Sequence, residues 1–188
     1  FLGVPPQGRA DYAFIQHILS SLNNTTGRCA ILLPHGILAR DEEKNIREKL
    51  VSTDLIECII GIGRNLFFNS PMEACILICS KCKPQHRANK IVFIDAKDKV
   101  IRKNGESYLN EENIRDIVNA YNSIVSIDGF SEIVDIEKVK QSGNMLSISM
   151  YVKKINANQK SNFDVCLGEF LSASELAHQS LDELNKLF

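Results

Sequence analysis

Two adjacent phenylalanines, Phe67 and Phe68, sit at the centre of the loop GIGRNLFFNSP, residues 61–71. The ends of this loop are polar and rich in glycine, asparagine and proline. Its two rings must therefore either plug the end of a local core or offer a stacking face to a planar ligand, and the residue types leave both readings open. Other candidates are weaker. His35, in Pro34-His35-Gly36, ends an apolar run. Such a strand exit is where open α/β sheets bind ligands, though a lone histidine also serves as a structural residue. Gly61-Ile62-Gly63 does not make a nucleotide loop, because no third glycine stands at the required spacing and no helix pattern follows. Cys79-Ser80-Lys81-Cys82 has the spacing of half a zinc site, but no second pair accompanies it, which argues against zinc. Lys81, Lys83, Arg87 and Lys90 form the one basic cluster. It reads either as an edge for nucleic acid or as a solvated loop between strands.

The elements that must position these residues are legible from pattern. Leu55–Ile60 and Ala74–Cys79 are short unbroken apolar runs, which predicts strands buried on both faces. The loop between them is too short for a crossover helix, so they must be antiparallel neighbours on an otherwise parallel sheet. Asp11 is placed to cap a helix with Tyr12, Ile15, Leu19 and Leu22 on one face. Cys29–Leu33 reads as a short buried strand, and Asp41 as the cap of a second helix carrying Ile46 and Leu50. Ile91–Ala96 is a further strand. Asn110 caps a helix whose apolar face runs through Ile114, Ile117, Val118, Tyr121, Ile124 and Val125. Glu132–Ile136 reads as a short strand, and the alternation in Asn144–Val152 as an edge strand or extended arm. The stretch 156–162 is linker-like. In the tail, Ser172 and Glu175 form a capping box before Ala177, Leu181, Leu184 and Phe188, a narrow helical seam.

Composition bounds the class. The 188 residues are 44% hydrophobic and 24% charged, ordinary for a globular chain with one domain and an appendage. The apolar runs fall far short of a membrane span, and no signal peptide opens the sequence. A net charge of −1 argues against tight, autonomous, non-specific DNA binding. Cys29, Cys58, Cys75 and Cys79 lie in apolar runs, where free thiols behave as small hydrophobes, which points to a reducing cytoplasm. The opening FLGVPPQG lacks Met and reads as the interior of a longer protein.

The ordered series ADYAFIQHILSSL, GRCAILLPHGIL, IREKL, DLIECIIGIGRNLFFNSPMEACILICSK and KIVFIDA resembles the modification (methyltransferase) subunit of type I restriction–modification systems. EENIRDIVNAY, GFSEIVDIEKV and NMLSISMYV continue the likeness in the same order. The resemblance covers Gly3 to about Val152. It implies the second half of a Rossmann-like, S-adenosylmethionine-dependent methyltransferase fold, α/β, with a mixed sheet carrying an antiparallel hairpin at one edge. Residues 1–155 would be the later part of that catalytic domain, and a C-terminal helix, 163–188, would contact another subunit. The implied activity is transfer of methyl from S-adenosylmethionine to adenine N6 in DNA. The implied partners are DNA, a specificity subunit and a restriction subunit. Phe67, or failing that Phe68, would stack on the flipped adenine. Asp11-Tyr12-Ala13-Phe14 matches a helix-start motif whose phenylalanine packs on the cofactor's adenine, which makes Phe14 a cofactor contact unless it is a core residue.

The sequence also departs from that family pattern. The glycine-rich cofactor motif and the Asn-Pro-Pro-aromatic motif are absent, and Pro5-Pro6 lacks the preceding Asn. No residue of this chain is thus assigned a catalytic role, and the chain alone is expected to be inactive. The alternative is a non-catalytic interaction module that reuses half the fold to dock a DNA-specificity subunit. A third reading, a nucleotide-binding α/β domain of some other enzyme, is weakened by the failed glycine loop.

Overall fold

The computed structural model describes residues 2–67, 70–103 and 105–154. The chain separates into two units, Phe1–Lys154 and Ile155–Phe188, and the fold set out here is that of the first. The expected linker 156–162 and tail helix 163–188 lie outside the described residues, as does Phe68.

The two apolar runs form β2 (Ile56–Ile62) and β3 (Ala74–Ser80), and every residue of β2 is buried. β3 returns antiparallel to β2, with Ile60 opposite Ile76. With β1 (Arg28–Pro34), β4 (Lys90–Ala96) and β7 (Ser131–Asp135) they make a five-stranded sheet in the order β1-β3-β2-β4-β7. β2 and β4 are parallel, whereas β3 and β7 run the other way. The expected hairpin is therefore present, but among the described residues it does not lie at the sheet's edge. β1 pairs on the outer side of β3 and β4 on the outer side of β2. That outer position also alters the reading of β1. Its odd-numbered residues face the core, whereas Ala30 and Leu32 are exposed, Leu32 by 51%.

Side chains alternate along each strand, so the sheet has two faces. One carries Ile59, Leu77 and Phe93 and is covered by α1 (Asp11–Ser21), α2 (Lys44–Ser52), α4 (Ile136–Gln141) and α5 (Ile148–Tyr151). The other carries Cys58, Ile60, Val92 and Ile94 and receives α3 (Glu111–Asn122). The cap of α3 is as expected: Asn110 accepts a hydrogen bond from the Asn113 N–H at 2.8 Å. Its apolar face is divided, however. Ala120 is buried and Ile117 and Tyr121 pack on the sheet, while Ile114 and Val118 are 47% exposed and Ile124 and Val125, past the helix end, more so.

Three local expectations are corrected. Asp11 is the first helical residue rather than the cap, and its carboxylate instead pairs with Arg40 at 2.9 Å. Asp41 makes no cap bond, because Asp41–Glu43 forms a separate 3₁₀ turn before α2. Asn144–Val152 is neither an edge strand nor an arm. The fully buried Arg47 donates to the Asn144 carbonyl at 2.8 Å, and the Leu146 N–H donates to the Leu38 carbonyl at 2.9 Å. These bonds draw the segment onto the sheet, where α5 seats Ile148 and lays Tyr151 against Phe93, ring centroids 4.3 Å apart. Alternating polarity alone cannot separate such a packed turn from a strand.

β4 leads through a 3₁₀ turn, Lys97–Lys99, into a small second sheet made by β5 (Ile101–Lys103) and β6 (Glu106–Tyr108). That turn crosses directly over the exit of β2. A Cβ on Gly63 would overlap the Lys97 carbonyl oxygen and lie 2.7 Å from Val100 Cγ2. Since backbone cannot yield as a flexible side chain does, Gly63→Ala is expected to cost about 1–3 kcal/mol. Chemical denaturation measures this, and an unchanged midpoint would show that the two exits are not in contact.

Candidate functional site

β1, β2 and β4 run in the same direction, so Pro34, Ile62 and Ala96 end together, beside the start of β3 at Ala74. Ligands of open α/β sheets bind at such carboxyl ends. The loop 63–73 springs from this end and is gathered by one carboxylate. Glu73 Oε1 receives Arg64 Nε at 3.3 Å and Glu73 Oε2 meets Lys97 Nζ at 3.5 Å. The His35 backbone N–H donates to the Glu73 carbonyl at 3.4 Å. Arg64 near the start of the loop and Glu73 at its end are thus tied to each other and to the exits of β1 and β4. Burial pushes the Glu73 carboxyl up, but Lys97 and Arg64 outweigh it and hold the group below the usual carboxylate value.

Phe67 is half-buried in this loop, and its carbonyl accepts a hydrogen bond from the Ser70 N–H at 3.1 Å. It stands between two cavities. One, of about 240 Å³, is chiefly apolar and is lined by Leu32, Leu33, Pro34 and Met72 together with Phe67 and Ser70. The other, of about 530 Å³, lies between Asn65, Leu66, Phe67, Ser70 and Pro71 on one side and Gly105, Glu106 and Ser107 of the β5–β6 hairpin on the other. Phe67 therefore borders both cavities. Phe14, on the outer face of α1, is 65% exposed, which removes the core reading for that residue. It lines neither cavity. Its ring offers an open planar face, but the described residues around it do not form a complete cofactor pocket.

His35 sits at the same sheet end. Its Nε2 is buried and has no hydrogen-bond partner among the described residues. Burial, reinforced by the nearby Lys97, holds its pKa below the ordinary value, so the imidazole is neutral at neutral pH. Glu73, Lys97 and Arg64 escaped the sequence reading. Only the charge of Glu73 immediately before the apolar run of β3 hinted at a partner, and nothing local named Lys97.

Two of the four cations of the cluster Lys81–Lys90 are engaged in structure at the opposite end of the sheet. Lys83 pairs with Asp54, and Arg87 Nη1 meets the buried Glu57 at 3.2 Å. The Tyr121 hydroxyl donates to the same carboxylate at 2.8 Å, and Arg28 Nη2 lies 3.3 Å from its other oxygen. Burial, then the bond to Glu57, pushes the Tyr121 hydroxyl up to about 12. This network locks the end of α3 to the sheet, and with Lys83 and Arg87 paired the edge reading loses two of its four cations.

A histidine with a lowered folded pKa binds its proton more readily in the unfolded chain. The stability it contributes is complete above the unfolded value of about 6.5 and is lost as pH falls towards the folded value. The melting-temperature difference between wild type and His35→Gln is therefore expected to shift in favour of the variant on going from about pH 7.5 to about pH 5.5. A difference that stays constant across that range would show that the imidazole proton is not linked to folding.

With this geometry in view, comparisons with known proteins bear on the site. A family model described as N-6 DNA Methylase matches residues 1–160. The type I restriction enzyme MjaVIII methylase subunit of Methanocaldococcus jannaschii is 34% identical over 98% of this chain and 33% of its own length. The MjaVII methylase subunit of the same organism is 35% identical over 97% of this chain and 32% of its own. The crystal structure of a type I restriction-modification system methyltransferase subunit from Streptococcus thermophilus shares the fold with a TM-score of 0.73 at 32% identity, covering 79% of this chain and 31% of that one. The chain thus spans about a third of the length of the curated relatives it matches. The match across residues 1–160 and the relatives above 30% identity over nearly the whole chain agree: this chain belongs to the N-6 DNA methylase family.

Proposed function

We propose that this chain is part of the modification subunit of a type I restriction–modification system, a cytoplasmic DNA adenine-N6 methyltransferase. The subunit works with a DNA-specificity subunit and a restriction subunit. The observation that carries the reading is Phe67, an aromatic ring set between two cavities on a clamped loop at the carboxyl end of the sheet. The exocyclic amine of adenine is a poor nucleophile buried in the duplex, so the base must leave the stack and be held. A half-buried ring on a loop fixed at both ends can receive the turned-out base without paying to order the loop first. S-adenosylmethionine supplies the methyl group when bound. Within this chain Phe14 is the residue proposed to lie against its adenine, and the glycine-rich and Asn-Pro-Pro segments of the family would complete the pocket. Phe68, next in the loop, is the fallback for stacking on the target base.

Stacking on an aromatic side chain contributes about 1–3 kcal/mol per base, so Phe67→Ala in the full-length protein is expected to lower methyl transfer at subsaturating duplex by roughly tenfold to a hundredfold. The melting temperature should stay close to that of wild type, since a half-exposed ring does not carry the roughly 3–5 kcal/mol of a core phenylalanine. The 188-residue chain alone, run as a control, should transfer no methyl. Early melting of Phe67→Ala, with normal methylation by the folded fraction, would assign Phe67 to the core. The tail is proposed as the contact with the specificity subunit, through the seam Ala177, Leu181, Leu184 and Phe188. Deleting 163–188 in the full-length protein should abolish co-purification of that subunit, and retained co-purification would move the contact elsewhere.

A further inference from the structure

Cys29 and Cys79, far apart in sequence, stand directly opposite each other on β1 and β3. Both side chains belong to the same face of the sheet: Cys79 is buried in the core there, and Cys29 packs against it while staying partly open to solvent. Along the same register the Lys81 N–H donates to the Gly27 carbonyl at 2.9 Å, and the His35 N–H donates to the Glu73 carbonyl at 3.4 Å. Both bonds fall an even number of residues from Cys29, so Cys29 and Cys79 are a hydrogen-bonded pair as well. The Cα atoms of such a pair lie about 5.5 Å apart, within the range of about 4.4–6.8 Å that disulfides span. Their Cβ atoms lie about 5 Å apart, wider than the roughly 3.8 Å of a relaxed disulfide. A bond made here is therefore within reach but strained, and strained disulfides are the labile, readily reduced ones.

The two thiols are unequal. The Cys79 thiol hydrogen-bonds the Cys29 sulfur and, against the effect of burial and with help from the Cys79 backbone, holds the Cys29 thiol down to about 7. The same contact with Cys29, followed by burial, pushes the Cys79 thiol up. A thiolate open to solvent with a second thiol beside it is the arrangement of cysteines that react with peroxides. Cys58 and Cys75 lack it, since both are fully buried and burial pushes both thiols up.

We propose that Cys29 and Cys79 are a reversible oxidation site, at which hydrogen peroxide converts the two thiols to a cross-strand disulfide. The Cys29 thiolate attacks one peroxide oxygen and breaks the O–O bond, which leaves a sulfenic acid and, once a proton is taken up, water. The Cys79 thiol then attacks the sulfenic sulfur. The S–S bond forms, and the hydroxyl group departs as water with the Cys79 proton. The two sulfurs together lose two electrons, and the peroxide is reduced to two molecules of water. The bond removes the open thiol before it can pass irreversibly to sulfinic acid, and it ties β1 to β3 at the end of the sheet away from Phe67.

The test treats the full-length protein with hydrogen peroxide at neutral pH, blocks the remaining thiols with iodoacetamide, digests with trypsin and identifies the peptides by mass. Peptide 29–40 is expected joined to peptide 65–81. Blocking of Cys29 should fall about tenfold, and dithiothreitol should restore it. Peptide 65–81 carries Cys75 as well as Cys79, so variants assign the bond. Cys75→Ala should keep the linkage. Cys79→Ala should lose it and leave Cys29 as sulfenic or sulfinic acid, and Cys29→Ser should leave Cys79 a free thiol. The wild-type peptide map decides even where a variant folds poorly. A linkage of Cys29 to Cys82, a 29–40 to 65–81 linkage that survives in Cys79→Ala, or sulfinic acid at Cys29 of the wild type with Cys79 free would overturn the proposal. So would two thiols that stay free at peroxide concentrations that oxidise free cysteine.

Discussion

Complete burial of β2 is the constraint on which the rest of this unit depends. Each of its residues is buried, with Ile59 at 0% exposure against one helical layer and Cys58 at 0% against the other. A strand covered on both faces must also satisfy its backbone on both edges, because an unpaired buried N–H or C=O costs as much as a lost hydrogen bond. β3 and β4 meet that demand from opposite sides. The loop 63–73 holds no helix and β3 returns antiparallel, whereas β4, which follows β3 and turns back again, runs parallel to β2. One outcome is that the loop leaves and re-enters at the carboxyl end of β1, β2 and β4, the end where Phe67 now stands.

Polar groups then fix what the apolar core leaves free. Hydrophobic burial has no direction, but a buried charge is tolerated only where every donor finds an acceptor. Arg47, with no exposure, is satisfied by the carbonyls of Arg40 and Asn144 and thereby decides where the chain after α4 must go. Glu57 and Arg87 do the same for the end of α3. Glu73 plays this part at the functional end, where Arg64 and Lys97 converge on a single carboxylate and hold the loop shut at its base. In each case at least one partner is remote in sequence, and that bond joins elements that hydrophobic contact alone would let slide. The site loop therefore rests on a frame determined by both kinds of contact.

Much of the fold was legible because it is local or periodic. Unbroken apolar runs with turn residues on either side announced β2, β3 and β4, and the length of one loop settled the relative direction of β2 and β3. Asn110 announced the start of α3. The order of motifs pointed to the family, and two phenylalanines in a polar loop drew attention to the stretch that became the candidate site. These signals survive folding because they depend on the spacing of neighbours along the chain. Tertiary structure alone decided whether an apolar residue is covered and which distant charge meets which. Phe14 and Phe67 are the same residue type, yet one is left open on a helix and the other is half-enclosed between two cavities. NMLSISMYV alternates like a strand, but Arg47 and Leu38 pull it into a packed turn. Glu73 and Lys97 are separated by two strands, and no pattern joins them until β3 and β4 are laid on either side of β2. Sequence periodicity reports which side of an element is apolar, whereas the identity of what lies against that side depends on strand order and so exists only once the sheet has formed.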